Sequence, residues 1–300
     1  MTWGMFLNLF VLAVLWGSAF PLIKVGLGGL TAGNLTLLRF LVASLCFLPY
    51  LLLTRKRLFP EWRDVPTFLL AGFLGITVYH LALNYGELHV SAGAASLIIA
   101  TAPALTAIVA FFVLRDRLPF LGWLGIAGSF AGVGLITLGD SAGLSLNPYA
   151  LLILVSALAT ALFTVIQKPL YTRYRAVEVT AFATWAGTLP LLVFLPGFFG
   201  DVADAGTAPL LAGVYIGVFP AAVAYAQFSY AISKLPVTLA TSFLYSVPVF
   251  SILFSWLILG EVPTLLTLLG GVIAILGIVL VAYAKRRERL VARAVAGMPK

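Results

Sequence analysis

Polar side chains that could do chemistry stand inside long apolar stretches of the chain. His80, Asn84 and Glu87 follow one another at spacings of four and three residues, so they share one face of a helix, with Tyr79 beside them. An unperturbed histidine titrates near neutral pH, so His80 could bind a solute or carry a proton. The alternative is a histidine that is hydrogen-bonded to a neighbouring helix. We expect Glu87 at the outer interface, where a hydrated carboxylate needs no special role.

A second stripe lies near the amino terminus. Trp16, Phe20 and Lys24 recur at a spacing of four residues, and Pro21 next to them predicts a kink or hinge. Two interpretations of Lys24 are open, because an unpaired ammonium group is costly inside a membrane. Its side chain reaches up to the outer interface, or it attracts the carboxylate of a solute.

Other polar and aromatic side chains of the apolar stretches complete a candidate cavity. Its further members are Thr101, Pro103, Phe163, Gln167, Trp185, Tyr225, Thr241, Tyr245 and Pro248. Pro103 and Pro248 are also predicted hinges, because a proline inside a helix removes one backbone donor and frees a carbonyl group. For Arg39 we expect a structural role, bonded to backbone carbonyls or to an acid such as Glu87.

The composition decides the medium in which these residues act. Hydrophobic residues make up 62% of the 300 residues and charged residues 9%, against roughly 45–50% and about 25% in soluble domains. This number of charges is too small to cover a hydrated surface. The chain must therefore lie in lipid. Only helices and closed barrels satisfy their backbone hydrogen bonds there, and the long apolar runs favour helices. The predicted fold class is an all-α, polytopic integral membrane protein.

Charges and turn residues divide the chain into ten apolar runs, each close to the roughly 20 residues that a spanning helix needs. The predicted spans are 4–26, 32–53, 65–86, 91–114, 120–138, 147–167, 178–196, 208–231, 237–259 and 264–284. The connections are too short to hold a soluble domain. The first run lacks a basic n-region and a cleavage pattern, so we interpret it as a retained span.

The distribution of charge predicts the orientation. With a cytoplasmic amino terminus, every Lys and Arg except Lys24 and Arg39 falls on the cytoplasmic side, and both ends of the chain lie there. The opposite connections carry only acids, which are Glu87, Asp140, Asp201, Asp204 and Glu261. The net charge of +8 therefore reflects topology. We expect the basic end of the chain to contact anionic lipid headgroups rather than nucleic acid.

The chain contains an internal repeat. Positions 145 residues apart match, and the matched pairs are Pro103 with Pro248, Asp116 with Glu261, Gly125 with Gly270 and Gly132 with Gly277. The predicted repeats are residues 1–145 and 146–286, followed by a basic cytoplasmic tail at 287–300. Each repeat holds five spans, an odd number, so the two copies lie inverted in the membrane. Inverted repeats are a known basis of alternating access in secondary transporters.

The sequence lacks the residues that several classes of function need. The chain has one cysteine and two histidines, so we expect no metal and no cofactor. A membrane enzyme would need paired carboxylates or a His–Glu motif, and a channel would need charged rings or a filter. The sequence shows none of these, so no catalytic residue is assigned.

Small residues form faces on the fifth and tenth spans. They are Gly128 and Gly132 in the fifth, and Gly270, Ala274 and Gly277 in the tenth. Such faces form a dimer contact or pack helices within one chain. We therefore expect a monomer or a weak homodimer.

A series of motifs, taken in order, resembles one known family. They are "WGSAFPLIK" in the first span, "LLRFLVASL" in the second, the proline of "ATAPALTA" in the fourth, the links "LRDRLP" and "LGEVP", and "GVIAILGIVLV" in the tenth. Over nearly the whole chain they resemble the drug/metabolite transporter superfamily, and within it the EamA-type exporters of bacteria. The aromatic content is similar to the branch that exports aromatic amino acids. The link Arg115-Asp116-Arg117 departs from the Gly-Glu-Arg that members often carry.

The resemblance implies export of small metabolites, often amino acids, across the inner membrane without ATP. We expect a secondary transporter that works by alternating access, with membrane lipids and a small solute as its partners. Aromatic or large apolar amino acids fit the predicted lining. The few ionisable groups in the spans favour a facilitator, or weak proton coupling through His80. Drugs or nucleosides as solutes, or a lipid flippase, are compatible with the same scaffold.

Overall fold

The fold is known from a computed structural model, which describes residues 3–54, 57–113, 118–140, 147–234 and 243–296. All elements within these ranges are helical. We number the helical segments α1 to α10. Their bounds are Trp3–Leu27 (α1), Ala32–Leu53 (α2), Trp62–Glu87 (α3), Ala92–Ile99 with Ala102–Val113 (α4), Phe120–Asp140 (α5), Ala150–Thr172 (α6), Ala176–Asp204 (α7), Thr207–Ala231 (α8), Leu244–Leu259 (α9) and Leu265–Ala296 (α10).

Nine of these described segments are long and apolar enough to cross a membrane, and α9 adds a shorter apolar helix. The prediction of an all-α membrane protein with ten spanning helices is confirmed. Two boundaries differ from the prediction. After a 3₁₀ turn at Leu192–Phe194, α7 continues through Leu195–Asp204, because Pro196 suits the first turn of the new helix. The helix of α10 extends to Ala296, through most of the predicted tail.

The third helix of each repeat carries the same irregularity. α3 contains a π-helical segment at Phe73–Val78, and α8 contains one at Gly217–Val223. These ranges are equivalent in the repeat to within one residue. A π segment is a local bulge that occurs often at functional sites. Each one leads directly to a predicted cavity residue, His80 in α3 and Tyr225 in α8, and these two residues are 145 positions apart.

Helices α5 and α10 cross with their backbones in contact. A Cβ atom added to Gly132 would lie 2.5 Å from the carbonyl oxygen of Gly270, and one added to Gly125 would lie 2.5 Å from that of Gly277. Such close approach lets dispersion forces hold helices together in lipid, where apolar side chains gain nothing by leaving their surroundings. Of the two uses that the sequence left open, these small-residue faces therefore serve packing within one chain.

Two contacts join residues that are equivalent in the repeat. Ser129 in α5 donates a hydrogen bond of 3.1 Å to the carbonyl oxygen of Ala274 in α10, 145 positions away. The hydroxyl groups of Ser44 in α2 and Thr188 in α7, 144 positions apart, lie 3.2 Å from each other. Equivalent residues can touch only near a two-fold axis, because the rotation exchanges them. The pseudo-two-fold axis therefore passes between α5 and α10 and between α2 and α7.

Other contacts occur in equivalent pairs away from this axis. Asn84 in α3 donates a hydrogen bond of 2.8 Å to Thr36 in α2, and the hydroxyl groups of Thr180 in α7 and Ser229 in α8 lie 2.8 Å apart. The second pair repeats the first at an offset of 144 to 145 positions. Because the two repeats enter the membrane from opposite sides, these matched bonds lie in helices of opposite direction.

The exterior of the described part of the chain is apolar. Large side chains at its surface include Leu53, Phe112, Leu211 and Trp256, each more than half exposed. In water such a surface would aggregate, whereas in a bilayer it meets lipid tails. Polar side chains are turned inward, which places the candidate site between the helices.

Replacing one glycine of the α5–α10 contact with a larger residue should destabilise the protein. In Gly132→Leu the new side chain has to push α10 away, at a cost of about 1–3 kcal/mol or more. We expect a lower midpoint of thermal unfolding in detergent, measured by the loss of the monodisperse size-exclusion peak. Gly134→Leu is the matched control, because a Cβ atom at Gly134 meets nothing within 4 Å. Equal midpoints for the two variants would contradict the backbone contact.

Candidate functional site

The described helices bury a cluster of polar groups that lack partners. Arg39 on α2 and His80, Asn84 and Glu87 on α3 are each at most 4% exposed. Among the described residues, no hydrogen-bond partner exists for Nε and Nη1 of Arg39, Nε2 of His80, Oδ1 of Asn84 or either carboxylate oxygen of Glu87. Buried polar atoms are normally paired. Several unpaired atoms on two neighbouring helices therefore mark a site rather than a packed core.

The bonds to carbonyl groups or to an acid that the sequence predicts for Arg39 are incomplete in the structure. Two of its nitrogen atoms bond neither a carbonyl group nor an acid. Its guanidinium group lies 5.5 Å from the centre of the Phe40 ring and interacts electrostatically with Tyr79, Tyr225 and Glu87. A cation that is held among rings and left without a full set of acceptors is available to an anion.

Glu87 is not the hydrated interfacial carboxylate that the sequence predicts. It is 1% exposed and faces Lys24, Glu261 and Arg39, its charged neighbours, without a hydrogen bond or ion pair to any of them in the described chain. The prediction failed because the end of α3 is covered by α1 and by the link between α9 and α10. Glu87 is therefore an internal group, close to the outer side of the predicted orientation.

The structure places His80 and Asn84 on the predicted stripe. Nδ1 of His80 lies 3.0 Å from the carbonyl oxygen of Ile76, which the π segment leaves near the ring, so its partner is its own helix rather than a neighbouring one. The ring stands edge-on to Phe40 and Tyr79, with centroid distances of 4.5 and 4.4 Å. Asn84 is oriented by its bond to Thr36, which leaves Oδ1 as a free acceptor.

Aromatic side chains of one repeat pack against the π segment of the other. Trp16 in α1 donates a hydrogen bond of 3.0 Å to the carbonyl oxygen of Pro220 in α8. Phe163 in α6 fills the space beside Gly75 in α3, where an added Cβ atom would lie 2.5 Å from the ring. Gly75 and Pro220 are 145 positions apart, so the two aromatic side chains contact equivalent positions of the π segments. These aromatic residues therefore bridge the repeats, as expected of residues that line a path between them.

Three aromatic rings, those of Trp16, Tyr225 and Phe228, pack together where α1 meets α8. The Trp16 ring lies 5.4 Å from Tyr225 and 5.2 Å from Phe228, both on α8. Tyr225 interacts electrostatically with Arg39 and with Tyr79. The sequence predicted Trp16, Tyr79 and Tyr225 as cavity residues and missed Phe228. The structure brings Tyr79 and Tyr225 near Arg39 and packs Trp16 against Tyr225, so both repeats contribute.

Lys24 is engaged by a protein carboxylate. Its Nζ atom lies 3.4 Å from the carboxylate of Glu261 in the α9–α10 link. The same carboxylate accepts a hydrogen bond of 3.0 Å from the backbone nitrogen of Ala92, at the start of α4. Ser91 next to it donates hydrogen bonds to Asp140 at the end of α5. The two bonds to Glu261 therefore join the repeats on the predicted outer side, whereas the bonds to Asp140 join α4 and α5 of the first repeat.

The other predicted cavity residues have partners elsewhere. Phe20 is buried in the core next to α4 and α5. Thr101 bonds the carbonyl oxygen of Ile98, Gln167 accepts from Tyr171, Trp185 donates to the carbonyl oxygen of Ser44, and Tyr245 packs against α4 and α10. Thr241 lies outside the described residues. These residues pack or bond within the fold.

Two of the three predicted hinge prolines do not lie in mid-helix. Pro103 is the second residue of Ala102–Val113, after an interruption of α4 at Ala100 and Thr101. Pro248 is the second residue of Val247–Leu259, after a 3₁₀ turn. A proline at this position blocks no helical bond, because the first-turn donors have no partner in the helix. Of the three, only Pro21 stands inside a continuous helix.

No group of three metal-ligating side chains occurs in the described ranges. The polar cluster on α2 and α3 has several kinds of side-chain group. It combines one buried cation, one buried carboxylate, a free amide oxygen and aromatic rings. Arg39 and Glu87 could have been found from the sequence, because apart from Lys24 and Asp64 few charges fall within the helices of the first repeat, and a charge buried in a membrane is expensive.

The comparisons with known proteins agree with this architecture. One family matches residues 2–138 and, a second time, residues 147–283. The chain belongs to the EamA-like transporter family. It is thus a membrane transporter of the drug/metabolite transporter superfamily, and the family match occurs once in each half of the chain.

Two relatives of this transporter align over most of their length. YdfC of Bacillus subtilis strain 168, an uncharacterized transporter, is 39% identical over 264 residues, which are 88% of this chain and 86% of the relative. A probable terminal-alkyne amino-acid exporter of Streptantibioticus cattleyicolor is 36% identical over 281 residues, or 92% and 93% of the two chains. A solved crystal structure aligns with a TM-score of 0.65 at 19% identity, covering 96% of this chain and 99% of the other. That likeness concerns the fold alone.

Removing the bond between Trp16 and Pro220 should weaken the junction of α1 and α8. Trp16→Phe keeps a ring against Tyr225 but loses the hydrogen bond, so we expect a loss of about 1 kcal/mol in unfolding free energy. The midpoint of thermal unfolding in detergent should fall accordingly. Trp256→Phe is the control, because the Trp256 side chain is 56% exposed on the lipid side. The bond is irrelevant to stability if both variants unfold with the wild-type midpoint.

Proposed function

We propose that the protein is a secondary transporter that exports small amphipathic metabolites by alternating access, without ATP. Amino acids with aromatic or large apolar side chains are the proposed solutes. The observation that carries this proposal is a mixed site, where Tyr79 and Tyr225 lie near buried polar groups without partners and Trp16 packs against Tyr225. The rings suit an apolar side chain, and the polar groups suit a charged head. The relative named as an amino-acid exporter supports the same class of solute.

We place the transporter in the inner membrane, with both ends of the chain in the cytoplasm. The positive-inside distribution of Lys and Arg supports this orientation. Repeats at residues 1–145 and 146–286 would then face each other across the pseudo-two-fold axis. The proposed partners are the solute and the surrounding lipids.

Alternating access follows from the inverted repeats, because each repeat can adopt the conformation that the other holds. When the repeats exchange conformations, some contacts between them are kept and others are broken. The bond between Ser129 and Ala274 joins equivalent residues and is unchanged when the repeats trade conformations. The bond between Ser251 in α9 and the carbonyl oxygen of Ala92 in α4, 3.3 Å long, joins residues that are not equivalent. This second contact belongs to the closed outer side and is free to open.

Two engineered disulfides should therefore differ in their effect on transport. In a Cys46→Ser background, oxidation of Ala92→Cys with Ser251→Cys should abolish uptake, and reduction should restore it. Ser129→Cys with Ala274→Cys is the matched control, since that bond also joins the repeats but lies at the axis. Uptake into proteoliposomes with and without reductant is the measurement. Inhibition by both disulfides, or by neither, would contradict the proposed exchange.

The solute class is tested with liposomes that contain the purified protein. We expect saturable uptake of radiolabelled Phe, Trp, Leu and Met, and weak uptake of Thr and Glu, without a pH gradient. His80→Ala is measured beside the wild type with and without a gradient, because Nε2 of His80 is buried without a partner in the described chain. Acceleration by the gradient that His80→Ala removes would assign proton coupling to His80. Absence of amino-acid uptake would shift the assignment to drugs or nucleosides.

One surface feature favours a second candidate, a lipid flippase. A groove of about 350 Å³ runs along α9 and its link to α10. Its lining is apolar, consisting of Val249, Ile252, Leu253, Trp256, Val262 and Pro263. A groove of this kind can hold an acyl chain. Transbilayer movement of a fluorescent phospholipid in the same liposomes, without amino-acid uptake, would decide for the flippase.

A further inference from the structure

Two opposite charges are buried on adjacent helices without neutralising each other. Arg39 is 4% exposed and Glu87 is 1% exposed, and they interact electrostatically. Neither forms an ion pair within the described residues, and four of their polar atoms have no hydrogen-bond partner. Paired buried charges normally make direct contact, because each is costly alone. Because these atoms have no partner, both groups are open to pairing with a third, charged component.

The register of α2 and α3 sets the distance between these charges. The hydrogen bond between Asn84 and Thr36 fixes the two antiparallel helices against each other. Arg39 follows Thr36 by three residues toward the inner side, and Glu87 follows Asn84 by three residues toward the outer side. Their backbones are therefore about 9 Å apart along the helix axis. The free Oδ1 atom of Asn84 lies between them.

We propose that Arg39 binds the carboxylate and Glu87 the ammonium group of a zwitterionic α-amino acid. The inference rests on the function proposed above and adds which chemical groups the solute must carry. A guanidinium group holds a carboxylate through two parallel hydrogen bonds. The ammonium group donates to Glu87 and to Oδ1 of Asn84. The head of the solute then lies between the two charges, and its side chain faces Trp16, Tyr79 and Tyr225.

The charge balance of the site supports a zwitterion over other amphipathic solutes. Arg39 and Glu87 together carry no net charge, so a neutral head with two opposite charges satisfies both. A simple amine leaves Arg39 unpaired, and a simple acid leaves Glu87 unpaired. Leaving a buried charge without its partner is strongly unfavourable. Lys24 is not an alternative carboxylate site, because it is already paired with Glu261.

The wild-type protein tests this with three solutes that share a benzyl group. L-Phenylalanine has both charges, 2-phenylethylamine lacks the carboxylate, and 3-phenylpropanoate lacks the ammonium group. Each competes against uptake of radiolabelled L-leucine in proteoliposomes. We expect each analogue to compete at least about 10-fold more weakly than phenylalanine, since each loses one charge-assisted pair. Equal competition by all three, with leucine still transported, would overturn this inference and leave the proposed function intact. Failure to transport any amino acid would overturn both.

Variants assign each charge of the solute to its residue. In Glu87→Gln the preference for phenylalanine over 3-phenylpropanoate should fall to within about 3-fold, while the preference over 2-phenylethylamine persists. Arg39→Met should have the opposite pattern, losing the preference over 2-phenylethylamine only. If either residue had a purely structural role, its variant would bind all three solutes more weakly to the same extent. That result would contradict the assignment.

Matched variants outside the site control for loss of charge. Glu61→Gln and Arg63→Met remove one acid and one base from an exposed ion pair of 2.7 Å at the start of α3. The Arg57 hydrogen bond holds the pKa of Glu61 below its usual range, so this control also removes a full charge. Both should keep the wild-type preferences. If Arg39→Met and Glu87→Gln do not fold, Arg39→Lys and Glu87→Asp replace them. These keep each charge but shorten its reach, and an unchanged affinity for phenylalanine there would overturn the assignment.

Discussion

The backbone contact between α5 and α10 is the constraint on which the rest of the structure depends. In lipid, helices gain little from burying apolar side chains, so close approach has to supply the attraction. Gly125, Gly132, Gly270 and Gly277 permit that approach, and because they are equivalent in pairs they produce it symmetrically. The contact joins the repeats at the pseudo-two-fold axis. Both conformations of an exchanging pair can therefore share it.

The helices that frame the site follow this symmetry, whereas the charged residues of the site depart from it. The π segments of α3 and α8 are equivalent in the two repeats, and an aromatic side chain of the other repeat contacts each of them. The charged residues are not equivalent. Arg39 and Glu87 belong to the first repeat, and the positions that correspond to them 144 to 145 residues later are Ala183 and Ile232. A symmetric frame thus carries an asymmetric binding site, which gives a solute one defined orientation.

The sequence predicts the helices well and the partners of their side chains less well. Span number and the α5–α10 faces follow from hydropathy and small residues, which report local preference for lipid and for close packing. Glu87 was expected in water because a carboxylate at the end of a helix is usually hydrated, and only the fold shows that α1 and the α9–α10 link cover it. The prolines at 103 and 248 were expected in mid-helix because nothing in the sequence marks the interruptions before them.

The proposed mechanism is that the two repeats alternate around one site. Its most direct test is the distance between spin labels in a Cys46→Ser background, one pair at Leu88 and Val262 on the predicted outer side and one at Phe59 and Lys168 on the inner side. These side chains are exposed, so labels fit without repacking. On saturation with L-phenylalanine, we expect the distance within one label pair to lengthen while the distance within the other pair shortens. Two distances that stay fixed, or that change in the same direction, would contradict it.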